Sequence, residues 1–326
     1  MSCFHPNYIR QRIDSDTGAV VSAFLGKTSS VTPESFGSFS DLVSGSVKEI
    51  IVPVPCGHCL GCNMDYARQW ADRMVLELQT NPKAIFVTLT YRPSDLPLTE
   101  SGNPTLSKRH PQLFLKRLRR HFPGRSIRYY LCGEYGSKTL RPHYHAILYG
   151  LSLEDFPDCV LRSCNELDQP FYSSDTFANI WSYGFCLLSS VSWQTCNYFA
   201  RYVTKKQKDF DYGDRLRPYN VASRKPGLGY DYCNKMLSNG VDRLDLQCGD
   251  TVKTVTFPST VLKKFCEYGL DKCLSIKYNK SENCRATTLA QIVASGLSYD
   301  EILLNKERDL RNKLYQLPVR NLLKGD

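Results

Sequence analysis

The stretch from Ile127 to Leu148 constrains this chain more than any other. Two runs rich in β-branched, aromatic and aliphatic residues, Ile127 to Glu134 and His143 to Leu148, are separated by a polar turn around Gly136. That composition predicts two strands joined as an antiparallel hairpin. Side chains alternate across a strand, so His143 and His145 share one face while Tyr144 takes the other. The hairpin brings Glu134, at the end of its first strand, near His143. Two imidazoles and a carboxylate suit a divalent cation such as Mg²⁺ or Mn²⁺, with positions left open for water and phosphate oxygens. Alone, an H-x-H pair is a weak signal, and a strand-end glutamate is by default a solvated carboxylate. The chain has only six histidines, which makes the pairing uncommon.

The flanking segments extend the pattern. Ile85 to Tyr91 reads as a strand by β-propensity, and Gly184 to Ser192 as another. Helices are predicted over Asn63 to Thr80, with Trp70, Met74 and Leu78 at helical spacing, and over Gln112 to Phe122. A further helix is read over Thr195 to Lys208, and an amphipathic one over Tyr299 to Leu323. Residues 14 to 46, rich in Ser, Gly and Thr, read as a loop or weakly ordered strands. The order strand, helix, strand, strand, helix argues for an α+β domain with an antiparallel sheet. Three segments are expected: 1–82 with a cysteine cluster and a helix, 83–215 as the core, and 216–326 as a C-terminal accessory region.

On the helix after residue 195, Tyr198 and Tyr202 stand four residues apart and so share a face. Tyrosines so spaced are commonly packing or surface residues. Lys205 and Lys206 lie about a turn further on, where a cation favours a phenolate or holds a phosphate. A phenol ordinarily loses its proton only near pH ~10 and needs such help to attack near neutrality. Taken with the metal set, the pair describes a phosphoryl transfer, in which a tyrosine displaces a 3′ oxygen and keeps the 5′ phosphate. A second tyrosine suits a cyclic process that must cut a regenerated site.

Charge points to the same partner. The formal net charge is +10, as expected of a chain that meets a polyanion. No acidic residue falls between Glu100 and Glu134, a stretch that includes Lys116, Arg117, Arg119 and Arg120 on one helix. These four, with Arg224 and Lys225 in the basic loop Ser223 to Gly229, are the candidate DNA contacts; solvated surface is the plainer reading. Nucleic acid is favoured over membrane, since no apolar run is long enough to span a bilayer and no signal peptide is read at the N-terminus.

Of the fourteen cysteines, one cluster has ligand spacing, Cys56-x-x-Cys59-x-x-Cys62. Structural Zn²⁺ needs four ligands, and Cys3 is the candidate fourth, with His5 and His58 behind it. Reduced, unliganded thiols and an iron–sulfur cluster stay open beside it. Thr88 and Thr90 share a strand face, either under the site or satisfying backbone groups.

Phe86-Val87-Thr88-Leu89-Thr90-Tyr91, Arg141-Pro142-His143-Tyr144-His145, and the paired Tyr198 and Tyr202 together resemble the three ordered motifs of the HUH rolling-circle initiators. Within them the chain most resembles the Microviridae initiators of gokushovirus type, over roughly residues 1 to 230. Cys56 to Cys62, Trp70 with Arg73, Gly133 to Gly136 and Ser223 to Gly229 are further matches. The resemblance implies a five-stranded antiparallel sheet flanked by helices. It implies metal at His143 and His145, with Glu134 as the third ligand, and nucleophilic roles for Tyr198 and Tyr202. Lys205 fits the family lysine better than Lys206. Tyr144 replaces the hydrophobic residue of the family's name, a form accepted in this phage group. The implied activity is metal-dependent nicking and strand transfer through a 5′-phosphotyrosine, on single-stranded or supercoiled circular DNA at a replication origin. The setting is the bacterial host cytoplasm, with host helicase and polymerase as partners. Two other readings stand beside it, a phosphodiesterase that uses water and a zinc-containing single-strand binder.

Overall fold

A computed structural model of the chain describes residues 3–27, 39–136, 139–165, 168–202, 211–248, 251–265, 267 and 269–316. The chain begins with strands β1 (Asn7–Ile13) and β2 (Val20–Gly26), helix α1 (Phe39–Val43), strand β3 (Glu49–Val54) and helix α2 (Leu60–Leu78). Strand β4 (Ala84–Tyr91), helix α3 (Arg109–His121) and the hairpin β5 (Arg128–Tyr135) and β6 (Pro142–Tyr149) follow. Then come β7 (Val160–Cys164), β8 (Pro170–Ser173), α4 (Asp175–Trp181), β9 (Gly184–Ser190) and α5 (Trp193–Tyr202). The last part holds β10 (Tyr219–Ala222), α6 (Tyr230–Ser238), β11 (Leu244–Cys248), β12 (Thr251–Val255), α7 (Ser259–Phe265), α8 (Leu270–Ser295) and α9 (Tyr299–Gln316). Two compact units result: residues 67–261, and residues 1–66 with 262–325. These cuts differ from the three expected segments because β10 pairs with β5, which joins the stretch after residue 215 to the core sheet.

The larger unit is built on an antiparallel sheet in the order β10-β5-β6-β4-β9-β8-β7. It has seven strands where the resemblance implied five. The extra hairpin β7–β8 meets β9 only at Tyr172 and Leu188. Its strand β7 is exposed along its whole length, so no inside–outside alternation marks it in the sequence.

One face of the sheet carries Ile85, Val87, Leu89 and Tyr91 from β4 with Tyr144, Ala146 and Leu148 from β6. Phe114, Leu115 and Leu118 of α3 cover it, together with Phe177, Ile180 and Trp181 of α4. Gly133 in β5 is required here, because a Cβ would stand 3.0 Å from the Tyr144 ring and 3.1 Å from Leu106. The opposite face carries the alternate residues Phe86, Thr88, Thr90, His143, His145, Ile147 and Tyr149. There Tyr149 donates its hydroxyl to the Met74 carbonyl of α2 at 3.1 Å, and Trp70 packs 4.7 Å from Tyr130.

The smaller unit holds a three-stranded sheet in the order β2-β1-β3. Tyr8 from β1 packs in a small apolar cluster with Ile292, Tyr299, Ile302 and Leu303. The segment 14–46 therefore contributes a strand, β2, and a short helix, α1, while residues 28–38 lie outside the described part. Among the described residues no helix is long and apolar enough to cross a membrane.

Candidate active site

The hairpin forms, and its register aligns the three predicted ligands. Glu134 pairs directly with His143 across β5 and β6, and Cys132 pairs with His145. On the other side of β6, Thr90 opposes His143 and Thr88 opposes His145. Directly opposed side chains share a face, so two polar rows run across the sheet. The candidate ligand atoms of Glu134, His143 and His145 all lie within 4.8 Å of one another. His145 Nε2 stands 3.9 Å from Glu134 Oε1. The two imidazole rings are 5.0 Å apart and nearly perpendicular.

The surrounding hydrogen bonds orient both rings. His143 Nδ1 lies 3.1 Å from the Arg141 carbonyl oxygen. A carbonyl only accepts, so Nδ1 carries the proton and Nε2 keeps its lone pair for a ligand. His145 Nδ1 lies 3.0 Å from the Thr88 hydroxyl, which can accept a proton from it in the same way. Thr88 thus serves the site, whereas Thr90 donates to the Phe185 carbonyl at 3.4 Å and satisfies backbone. The Cys132 thiol donates to Glu134 Oε1 at 3.4 Å. Burial and the neighbouring Glu134 carboxylate hold that thiol well above its ordinary range, so it stays a neutral donor. Glu134 and His145 are themselves buried, at 9% and 7% exposure, while His143 is partly open to solvent. A partly open His beside two buried donors leaves room on one side for a bound group. Tyr144 points to the opposite face, where its hydroxyl meets Ser107 and Tyr91.

Helix α5 brings positions 198 and 202 to this face. Phe199 of α5 packs edge-on against Phe86 at 5.5 Å and Tyr130 at 5.2 Å, and lies 6.2 Å from the His145 ring. The side chains of Tyr198 and Tyr202, and the whole of Lys205, lie outside the described residues.

The candidate DNA contacts divide. Helix α3 sits on the face of the sheet opposite the histidines, so Lys116, Arg119 and Arg120, exposed on it, do not border the site. Arg117 binds the Ile180 and Trp181 carbonyls at 2.7 and 2.6 Å and closes the end of α4. Arg224 and Lys225 are exposed on a loop that is held from beneath. Fully buried Glu77 accepts from Arg128 and from the Gly229 amide at 2.8 Å, and Arg128 binds the Pro226 and Gly227 carbonyls at 3.1 and 2.9 Å. Gly229 has φ +74°, and a Cβ there would stand 2.8 Å from Leu76, so the loop admits no larger residue at that point.

In the smaller unit, the sulfurs of Cys3, Cys56, Cys59 and Cys62 lie within 4.8 Å of one another. Backbone amides of Cys56, Cys59, Cys62 and Phe4 each donate to one of these sulfurs at 3.3–3.4 Å. Burial raises the Cys59 thiol, but the amides of Cys62 and Phe4 and the neighbouring thiols outweigh it and bring Cys59 down to about 6. His5 pairs instead with Glu307 at 2.8 Å, and His58 Nδ1 meets the Cys56 carbonyl oxygen at 2.8 Å. The cluster is therefore made of cysteines alone.

Sequence reasoning missed the parts played by Cys132 and the Arg141 carbonyl. Cys132 was legible in principle, two residues before Glu134 on the same strand face. The carbonyl was not, since every residue has one.

A family of phage replication-associated proteins, typified by the replication-associated protein ORF2, matches residues 84–207, the stretch from β4 through α5. The replication-associated protein ORF2 of Spiroplasma virus 4 is 31% identical over 275 residues, 81% of this chain and 84% of that one. The replication-associated protein VP4 of Bdellovibrio phage phiMH2K is 30% identical over 193 residues, 56% of this chain and 58% of that one. The replication-associated protein ORF4 of Chlamydia phage 1 is 28% identical over 194 residues, 56% of this chain and 47% of that one. No solved structure matches. The chain thus belongs to the ORF2 family of phage replication-associated proteins, as its resemblance to the Microviridae initiators implied.

Proposed function

We propose that this protein initiates rolling-circle replication as a metal-dependent DNA nickase that joins itself through a tyrosine to the 5′ end it creates. The carrying observation is the row in which Glu134, His143 and His145 converge, beside a helix that Phe199 seats 6.2 Å from the His145 ring. The donor set, two imidazole nitrogens and a carboxylate with an open side, fits Mg²⁺ or Mn²⁺. Such a cation, when bound, supplies charge that polarises the scissile phosphate. Glu134, His143 and His145 hold it, and Thr88 and the Arg141 carbonyl fix the ring orientations. A phenolate oxygen of Tyr198 or Tyr202 then attacks phosphorus in line. The P–O3′ bond breaks as the P–O bond to tyrosine forms, and the 3′ oxygen leaves as a hydroxyl carrying a proton. Lys205 assists by favouring the phenolate. The phosphodiester energy is conserved, so the second tyrosine can open the regenerated origin and the freed 3′ hydroxyl can close the displaced circle. The DNA is single-stranded or supercoiled circular DNA at the origin, in the host cytoplasm alongside host helicase and polymerase. Lys116, Arg119 and Arg120 serve flanking DNA rather than the cleavage point, because α3 covers the other face of the sheet.

At the cysteine cluster the fit is to structural Zn²⁺. Four sulfurs about 2.3 Å from a central tetrahedral ion are about 3.8 Å apart. Cys3–Cys59 and Cys56–Cys62 are each 3.9 Å apart, far beyond the disulfide bond length of about 2.05 Å.

The test is incubation of the purified protein with the phage's single-stranded circle, in Mn²⁺ and in EDTA, followed by denaturing gel and peptide mass mapping. A metal-dependent adduct on Tyr198 or Tyr202 is expected, lost when both are replaced by Phe. Cleavage without an adduct would establish the water-using phosphodiesterase instead. Binding without cleavage, unaffected by EDTA and by loss of both tyrosines, would establish the single-strand binder.

A further inference from the structure

The polar rows of the candidate site do not end at β4. Thr90, opposite His143, is itself opposite Phe185 of β9, and Thr88, opposite His145, is opposite Leu187. The first row therefore reads Glu134, His143, Thr90, Phe185, and the second Cys132, His145, Thr88, Leu187. Phe185 is 64% exposed and Leu187 is 37% exposed. Their neighbours in β9, Cys186 and Leu188, are buried on the opposite face, so the strand alternates with its large apolar side chains turned to water. Phe185 lies inside a strand whose backbone is paired with β4 along its length, which leaves no free strand edge for β-addition by another chain at that side.

We infer that Phe185, with Leu187 beside it, is a platform on which one nucleobase of single-stranded DNA stacks next to the cleaved phosphate. The inference rests on the DNA-nicking role proposed above. His143 and Phe185 sit two strand spacings apart, roughly 10 Å. A single nucleotide, or its immediate neighbour, bridges that span with its phosphate at the His–Glu end and its base at the Phe end. An unstacked base presents an apolar π-face whatever its identity, which an exposed phenyl ring matches. The threonines between the two ends keep the floor small, so nothing stands in the way of the sugar. Phe185 acts as a positioning residue: it holds the strand so that the phosphate meets the metal ligands, and it touches no reacting atom.

The probes are a fluorescein-labelled oligothymidylate and the same oligomers carrying one 2-aminopurine at successive positions. Anisotropy gives affinity and 2-aminopurine quenching reports stacking; adduct formation on the phage circle is followed separately. Phe185→Ala should weaken binding about 10- to 100-fold, the worth of one stacked base, and abolish the quenching at one position. It should raise the circle concentration for half-maximal adduct formation by a similar factor, with the rate at saturating DNA changed less than about 3-fold. Phe185→Trp should restore both binding and quenching, while Phe185→Leu, apolar but unable to stack, should not. The side chain is largely in water, so the melting temperature of each variant should match the parent. Binding and quenching by Phe185→Ala equal to the parent, or full rescue by Leu, would overturn the platform even if nicking proceeds. A parent protein that stacks the base through Phe185 yet forms no adduct would sink the nickase reading and leave the platform standing. A parent that binds no oligothymidylate would overturn the platform.

Discussion

Replacing Thr88 by Val probes the site without disturbing the sheet. Valine has the shape of threonine and suits a central strand, so β4 keeps its packing. The one contact removed is the 3.0 Å hydrogen bond to His145 Nδ1. With a cation on Nε2, Nδ1 must carry the proton, and in the variant that N–H loses its hydroxyl acceptor. His145 is 7% exposed, so water does not readily replace the hydroxyl. Before metal binds, the ring has an escape, because it can shift the proton to Nε2 and point it at Glu134 Oε1, 3.9 Å away. The penalty therefore falls on the metal-bound state. A buried donor left unsatisfied costs about 1–3 kcal/mol, or roughly 5- to 150-fold in affinity. Loss of a hydrogen bond behind a metal-bound histidine typically weakens the metal about 10- to 100-fold, which agrees. The Mn²⁺ concentration for half-maximal adduct formation should rise by that factor, as should the calorimetric dissociation constant. The rate at saturating Mn²⁺ should change little, and Thr88→Ser should keep parental behaviour. Unchanged Mn²⁺ dependence in a folded Thr88→Val protein, or an equal loss in the Ser variant, would refute the argument.

Arg128→Met should destabilise the larger unit by about 3–5 kcal/mol, because it strands the fully buried Glu77 carboxylate. For a unit of this size that is a fall in melting temperature of roughly 6–20 °C, and a loss under about 1 kcal/mol in a urea melt would contradict the burial argument. Arg224→Ala with Lys225→Ala should lower the slope of log affinity against log salt for single-stranded DNA by roughly 1.4, two phosphate contacts' worth; an unchanged slope would show the loop to be solvated surface. Cys56→Ser should lower the zinc content of the purified protein from one equivalent to near zero by elemental analysis. A visible absorption band and bound iron in the parent would replace zinc by an iron–sulfur cluster.

The site was legible because its geometry is local. His143 and His145 share a face by alternation, and a tight hairpin leaves Glu134 nowhere to go but opposite His143. The Cys3 pairing was legible for a different reason, since sulfur chemistry narrows the choice of fourth partner. What failed to show was long-range or unpatterned. Phe185 and Leu187 looked like ordinary strand residues, and only the pairing of β9 with β4 sets them beside the histidines. The basic helix α3 was read correctly as amphipathic, yet which face of the sheet it covers is decided by Phe114 and Leu118 meeting side chains from distant strands. Helix α8 is polar all round, and Tyr8 finds Tyr299 and Ile302 nearly three hundred residues away, so no window of sequence reveals the smaller unit.

That last separation has a consequence for synthesis. At about 5–20 residues per second, a ribosome that has released residue 66 needs on the order of 10–40 s before residue 262 emerges. During that interval β1 and β3 are already made, while α9, whose Ile302 and Leu303 cover Tyr8, does not yet exist. All four cysteines of the cluster, however, are among the first 62 residues. A cation captured there ties the two ends of the nascent segment together by a bond that needs nothing from the chain still to come, so the earliest part of the protein to be born can hold its shape until the last part arrives.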